Sequence, residues 1–256
     1  MKSSTTDVLT DSGYKTSELG FSFGTKFEQF QNIFLSPEID FLLEDLETSD
    51  KASDVLKKQE GSYTDLYFNY SINQDLRDKK FRTESGYQTF FFQELPLISD
   101  NSEFSNAFEI STYKKLSTKS DTVGKISFFA KTITGLSDDV RVSKRLNIPS
   151  SKLRGFERGR VGPIDNNDYV GGNHVTALNL SATLPNILEG LDNLDVGIFL
   201  DAANIWGVDY DSSIDDKSKI RSSTGVAFNL LTPIGPLSFS FANALTKASS
   251  DKTETF

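Results

Sequence analysis

Apolar and polar residues alternate with a period of two along most of the chain. In the segment LYFNYSI, residues 66–72, apolar or aromatic side chains occupy every second position, and Asn69 and Ser71 fall between them. The pattern recurs in three further segments, at residues 194–202, 225–231 and 237–242. Because successive side chains of a strand point to opposite faces, this alternation predicts β-strands with one apolar face and one small, polar face.

About eleven strands are predicted. They lie near residues 14–27, 32–44, 62–73, 85–97, 103–116, 121–133, 173–185, 193–206, 220–232, 236–246 and 252–256. Most exceed the ~5–6 residues usual in soluble sheets and are long enough to cross a bilayer at a tilt. A soluble β-sandwich alternates in the same way and is kept as an alternative.

The predicted connections alternate in length. Short turns are expected near 28–31, 117–121 and 232–235, and long loops at 45–61, 134–172 and 207–219. Short turns at one end and long loops at the other are typical of outer-membrane barrels. Ala52, Val55 and Leu56 have helical spacing, so the first long loop is expected to hold a short helix.

The fold class predicted from these patterns is all-β, an antiparallel up-and-down transmembrane β-barrel. A membrane-spanning sheet must close, because an open edge leaves unpaired N–H and C=O groups in hydrocarbon. Bacterial single-chain barrels also have an even number of strands. About eleven strands, the last only a short one, do not close such a barrel. The chain is therefore expected to form an incomplete barrel.

The two faces of the sheet are expected to have different surroundings. The outward, lipid-facing set is Leu66, Phe68, Tyr70, Val226, Phe228, Leu237, Phe239 and Phe241. The inward, lumen-facing set is Asn69, Ser71, Asp201, Asn229, Ser238 and Ser240. Such a sheet exposes a larger apolar patch than the few hundred Å² found on a soluble monomer.

Composition narrows the possible functions. The net charge of −9 argues against a nucleic-acid binder that relies on neutralising phosphates. The chain has no cysteine and one histidine, His174, which leaves no thiolate metal site and little scope for histidine catalysis. The first ten residues lack the apolar core of a signal peptide, and no stretch is long and apolar enough for a transmembrane helix. The chain is expected to be either cytosolic or a piece of a longer protein.

Two local motifs resemble functional sites but lack other features that those sites require. Ser22 lies in GFSFG, a nucleophile-elbow pattern, but within an alternating strand rather than at a strand-to-helix turn. The acidic run 209–216 has the spacing of a calcium loop but lacks its glycine and final glutamate, so a solvated loop is expected and weak calcium binding by loop 207–219 stays open.

The basic segment SKLRGFERGRVGP, residues 151–163, lies in the longest loop. It is either a solvated surface turn or a segment folded into the lumen. In the second case Arg154 can pair bidentately with inward-facing Asp201 and stack on Phe199, while Gly155 permits a tight backbone. Arg158 and Arg160 are expected to be solvated charges.

Several segments resemble the BamA family of outer-membrane protein assembly factors and its wider superfamily of barrel-assembly and translocation proteins. LRGFERGRVGP is similar to the family's V/L-R-G-F/Y…GP signature. Further similar segments follow in family order: GGN at 171–173, FLDAANIWG at 199–207 and IRSSTGVAFNLLTPIGPLSFSFANAL at 220–245. DLRDKKFRTESG at 75–86 resembles a turn of the family that reads D-x-R-x-x-x-F-P-T-x-G.

The resemblance implies a 16-stranded barrel preceded by POTRA domains. Residues 1–256 are then a partial outer-membrane barrel, about strands 6 to 16, without the POTRA domains and first strands. Loop 134–172, called the signature loop below, would lie between strands eleven and twelve and fold into the lumen, with Arg154, Gly155 and Phe156 against Asp201 and Phe199. The chain departs from the family in three places: near Ser181, where a lumenal glutamate is usual, at Ala203, where glycine is usual, and at Phe256, about eight residues before the usual end.

The resemblance also implies a function in the bacterial outer membrane: folding and inserting other barrel proteins, with no enzymatic activity, cofactor or metal. The expected partners are unfolded outer-membrane proteins, the lipid bilayer with lipopolysaccharide, and accessory lipoproteins bound through POTRA domains, but no nucleic acid. The alternatives are a TamA-like assembly factor, a two-partner secretion translocator, or a passive outer-membrane channel.

Overall fold

The computed structural model describes residues 2–117, 121–185, 191, 193–233 and 235–256. The strands in this part are β1 Lys2–Asp7, β2 Tyr14–Gly24, β3 Phe27–Phe30, β4 Ile33–Thr48, β5 Gly61–Asp75, β6 Gly86–Ser99, β7 Glu103–Lys115, β8 Val123–Gly135, β9 Ile164–Asp165, β10 Asp168–Tyr169, β11 His174–Pro185, β12 Leu194–Trp206, β13 Arg221–Thr232 and β14 Gly235–Thr246. One short helix, α1 Asp54–Lys57, lies between β4 and β5, and a 3₁₀ turn covers Val142–Lys144.

Twelve of these strands form one antiparallel sheet in the order β1-β2-β4-β5-β6-β7-β8-β11-β12-β13-β14, with β3 beside β4. Neighbours in the sheet are neighbours along the chain, apart from the small separate β9–β10 hairpin. The prediction of an all-β, antiparallel up-and-down architecture is therefore confirmed, and the sheet is an incomplete barrel with β1 and β14 at its ends. A single large sheet also excludes the two packed sheets of a β-sandwich for the described residues.

The predicted strands are confirmed except the last. Residues 252–256 form only one isolated bridge, between Thr253 and Phe156 of the signature loop. The prediction of a strand there was wrong because the backbone of this segment is divided between two partners: Glu254 donates to Gly155, while Thr255 accepts from Ala242 of β14. The predicted short helix is present as α1. Parts of the predicted turns 117–121 and 232–235 lie outside the described residues.

β1 was not predicted. It pairs with β2 over six positions, but its sequence, KSSTTD, contains no apolar residue and hence no alternation that could reveal it. The strand forms because its backbone pairs with the free edge of β2, and its side chains show no strand pattern. It adds one strand before the first that the sequence predicted.

The two faces differ as the alternation requires. On the outward face Leu237, Phe239 and Phe241 are 42%, 44% and 50% exposed. On the inward face Asn69 and Asp201 are buried. No helix among the described residues is long and apolar enough to span a membrane.

The core lies on the concave, inward face, between the sheet and the signature loop. Leu153, Phe156 and Val161 of the loop pack against inward-facing Val175 and Ile205 of β11 and β12. The long loops leave the sheet at one end, because the strands preceding them run in the same direction. There they contact each other: Ser53 donates to Asp165 over 2.6 Å. This end is called the loop end below, and the other the turn end.

The assignment of faces can be tested on β13. Replacing Val226 with arginine should destabilise the intact protein in a bilayer by about 2–4 kcal/mol, because the charge enters a lipid-facing surface. The same change at inward-facing Asn229 should cost only about 0.5 kcal/mol, since the lumen is polar. Urea unfolding from lipid vesicles measures both costs. Equal costs at the two positions would contradict the assignment.

Candidate functional site

The signature loop leaves β8 at Gly135 and enters β11 at His174. Its two limbs join at a neck, where Leu146 and Gly172 exchange backbone hydrogen bonds of 2.8 and 3.0 Å. Gly171 beside the neck has a φ of +70°, and a Cβ on it would lie 2.5 Å from the Leu146 carbonyl oxygen. Only glycine fits this turn, which directs the residues between the limbs onto the inward face.

Arg154 and Asp201 are brought together by this path. Arg154 donates from Nε to Oδ2 over 2.7 Å and from Nη2 to Oδ1 over 2.8 Å, and its backbone N–H donates to Oδ2 over 3.2 Å. Asp201 is fully buried, whereas the Arg154 side chain is 23% exposed. The arrangement is a bidentate, charge-assisted pair, the strongest form of side-chain hydrogen bonding.

Two further side chains complete the surroundings of the pair. The Arg154 guanidinium carbon lies 3.4 Å from the centroid of the Phe199 ring, two residues before Asp201 on the same face of β12. Asn179 of β11 donates to Asp201 Oδ1 over 2.8 Å and to the Lys152 carbonyl over 2.8 Å. Asn179, two residues before Ser181, therefore binds the carboxylate of the pair through its amide rather than the arginine.

Gly155 and Phe156, which follow Arg154, hold the loop against β14 and the apolar core. Gly155 has a φ of +84°, and a Cβ on it would lie 2.9 Å from Cβ of Ala242 in β14. Phe156 is only 2% exposed and packs in the core with Leu153 and Val161. The glycine thus allows the loop to approach β14, and the phenylalanine anchors it by apolar burial.

The other two arginines of the basic segment, Arg158 and Arg160, differ in exposure and in ion pairing. Arg158 is exposed. Arg160 was expected to be solvated, but it pairs with Asp11 in the β1–β2 connection over 2.5 Å and with Glu157 over 3.4 Å. Its long side chain reaches the β1–β2 connection because both connections lie at the loop end of the sheet.

A second arginine of the loop, Arg141, was missed by the sequence analysis. It is fully buried among three carboxylates: Nη2 lies 2.5 Å from Asp65, Nε 3.3 Å from Glu103 and Nη1 3.4 Å from Glu44. Tyr63 supports the guanidinium, with its ring centroid 4.3 Å away. Because β4, β5 and β7 carry these groups, Arg141 ties the first limb of the loop to the sheet far from β12.

The signal for this cluster is weak in the sequence. Asp65 and Glu103 stand at the loop ends of β5 and β7, where a carboxylate is as easily solvated as buried. Arg141 sits in the run DDVRVSKR with two other cations. Pattern alone does not say which cation enters the sheet.

Arg145 holds the neck of the loop to the β12–β13 connection. It donates to Asn173 over 3.1 Å and to the Val140 carbonyl over 3.2 Å, and it pairs with Asp209. Burial acts to raise the pKa of Asp209, yet this pKa is lowered overall, because the Arg145 guanidinium and hydrogen bonds to the carboxylate favour its charged form. This acid of loop 207–219 is thus held by the protein rather than solvated as expected.

The chemistry of the described residues around these groups is limited to ion pairing, hydrogen bonding and stacking. Within the described ranges, His, Cys, Asp and Glu form no group of three or more able to hold a metal ion. Ser22 lies inside β2, as its alternation predicted. The arrangement can position a loop inside the sheet and fix its direction.

The importance of the Arg141 cluster can be measured. Replacing Arg141 with alanine should destabilise the folded state by about 3–5 kcal/mol, because three buried carboxylates lose their counter-charge. Lys144→Ala is the control, since Lys144 is partly exposed and lies 3.9 Å from Glu44. Denaturant unfolding of the intact protein gives both values. A similar cost for the two variants would contradict the assignment of Arg141 as an anchor.

Gly155 offers a second test. Gly155→Ala should cost about 1 kcal/mol or more in the free energy of unfolding, because its φ is left-handed and the new methyl group meets Ala242. Gly159→Ala is a matched control: Gly159 has a φ of +74°, but a Cβ on it would meet no atom within 4 Å. The additional cost of Gly155→Ala over Gly159→Ala should fall when Ala242 is changed to glycine. Equal costs at both glycines would show that the approach to β14 is unimportant.

Comparisons with known proteins agree with the fold described above. The model of the Omp85 superfamily domain matches residues 4–256. The crystal structure of BamA from Haemophilus ducreyi lacking POTRA domains 1–3 superposes with a TM-score of 0.81 at 21% identity, covering 94% of this chain and 53% of that one. CdiB from Acinetobacter baumannii gives a TM-score of 0.60 at 12% identity, with 94% and 40% covered. The chain spans about half the length of these structures, and at these identities the likeness shows the fold.

Proposed function

The chain belongs to the Omp85 superfamily, and we propose that it serves in the bacterial outer membrane to fold and insert other β-barrel proteins, as a BamA-like assembly factor. The support comes from the match over residues 4–256 and from the higher TM-score with BamA than with CdiB. Its substrates would be unfolded outer-membrane proteins, and its surroundings the lipid bilayer with lipopolysaccharide. Accessory lipoproteins would bind through POTRA domains.

The observation that carries this proposal is the Arg154–Asp201 pair on the inward face. The signature residues stand in a loop folded against the sheet, with a bidentate pair and a stacked ring holding its tip. This role is conformational and involves no enzymatic step or cofactor. A loop fixed in this way keeps β11, β12 and β14 in a defined arrangement while the edge of the barrel receives an incoming strand by β-augmentation.

A translocator of the same superfamily, such as a two-partner secretion protein or a TamA-like factor, is the second candidate, supported by the likeness to CdiB. The two functions differ in what is delivered: a barrel inserted in the same membrane or a chain passed across it. A passive channel fits less well, because the signature loop packs its apolar side chains into the concave side of the sheet.

The proposal is tested by reconstituting the intact protein in lipid vesicles with an unfolded eight-stranded barrel as substrate. Arg154→Ala and Asp201→Asn should each slow substrate folding strongly, because losing one partner of a bidentate pair whose carboxylate is buried costs on the order of 2 kcal/mol. Arg154→Lys should rescue poorly, since it lacks the planar fork. Heat-modifiable gel mobility of the substrate measures its folding.

Arg158→Ala is the matched control, since it removes the same charge from an exposed position of the same loop. It should assemble substrate at the rate of the unchanged protein. In a double-mutant cycle, Arg154→Ala and Asp201→Asn should be strongly non-additive. Additive effects would contradict the role of the pair, and secretion of an exoprotein without barrel insertion would favour the translocator.

A further inference from the structure

The connection between β5 and β6, residues 76–85, is not used by the function proposed above. It carries most of the segment DLRDKKFRTESG and lies at the turn end of the sheet, opposite the signature loop. Hydrogen bonds within the turn hold its conformation. The Asp78 carboxylate accepts from the backbone N–H groups of Glu84 and Ser85 over 3.0 and 3.1 Å, and Thr83 donates to the Lys79 carbonyl over 2.7 Å.

This turn reaches across the concave side of the sheet. Arg82 donates from Nε to Asp195 Oδ2 over 2.9 Å and from Nη2 to Oδ1 over 2.9 Å. The Asp195 side chain, on β12, is 8% exposed. In the sheet, β6 and β12 are separated by β7, β8 and β11. The pair therefore bridges two distant parts of the wall through the lumen rather than along the sheet.

The same strand receives both folded-in segments. Asp195 and Asp201 are six positions apart and face inward from β12, so they lie about 20 Å apart along the strand. Each accepts a bidentate arginine, one from each end of the sheet. Lys125, Ser181, Thr183 and Asn229 line the space between them, which includes a cavity of about 830 Å³ under the turn and one of about 400 Å³ under the loop.

We propose that turn 76–85 is a closure of the lumen at the turn end, held shut by the Arg82–Asp195 pair. It is separate from the signature loop, which covers the other end. The inference shares with the proposed function only the premise that the sheet is the wall of a membrane barrel. Opening the turn joins the cavity to the solvent at that end and admits water and small ions.

The geometry of Arg82 suits a closure that can be released. Its φ is +51°, a left-handed backbone that non-glycine residues rarely adopt. Its side chain is 35% exposed, more than the 23% of Arg154. Water can therefore compete for this arginine more easily than for Arg154, and opening relieves an unfavourable backbone conformation.

The test is ion conductance of the intact protein in planar lipid bilayers. Arg82→Ala and Asp195→Asn should each raise the ratio of open to closed time about tenfold, the change expected when about 1.4 kcal/mol is lost from the closed state. The reversed pair, Arg82→Asp with Asp195→Arg, should recover part of the closure. Lys80→Ala removes a neighbouring exposed cation of the same turn and should conduct like the unchanged protein.

The outcomes separate this inference from the proposed function. Conductance is measured without any substrate, so a failure to assemble barrels leaves the test intact. Heat-modifiable mobility shows that each variant has folded. The closure is overturned if folded Arg82→Ala conducts no more than Lys80→Ala, or if the Arg82 and Asp195 effects are additive in a double-mutant cycle.

Discussion

Inward-facing carboxylates set where the connections of this sheet can lie. A carboxylate removed from water is costly unless a partner compensates it. Asp201, Asp195 and Asp65 each meet an arginine brought by a connection. Because a planar guanidinium pairs with a carboxylate in only a few orientations, each pair fixes the direction as well as the distance of the segment that brings it.

These pairs contribute more to the choice of conformation than to overall stability. Replacing a buried ion pair with apolar contacts is often neutral or stabilising, whereas removing one partner is costly. Leu153 and Phe156 also bury apolar surface between the signature loop and the sheet. Packing alone permits several placements of a loop on a smooth wall. The pairing of Arg154 with Asp201 of β12, together with the pairing of Arg141 with carboxylates of β4, β5 and β7, selects one placement.

The sequence predicts the parts of this structure that have a period or a motif. Alternation locates the long strands and their faces, because each inward position is forced by its neighbours. The signature segment and Asp201 are found by resemblance and by register. Segments without a periodic pattern are not predicted correctly. β1 is all polar, and residues 252–256 are bound by the loop and β14 rather than by one strand. Arg141 was missed because pairing among distant charges depends on curvature, which no local pattern encodes.

β12 is the strand whose inward side chains hold both folded-in segments. In this part of the strand two inward carboxylates, Asp195 and Asp201, flank a small residue, Gly197, and an aromatic one, Phe199. Phe199 fits only because Gly225 faces it on β13, where a Cβ would lie 2.8 Å from the ring. The ring in turn supports the Arg154 guanidinium. A glycine on one strand thus makes room for an aromatic ring on the next, and the ring and the carboxylate beside it hold a loop from a third part of the chain. The site is built by the register of the sheet, and it can exist only once β11, β12 and β13 are paired.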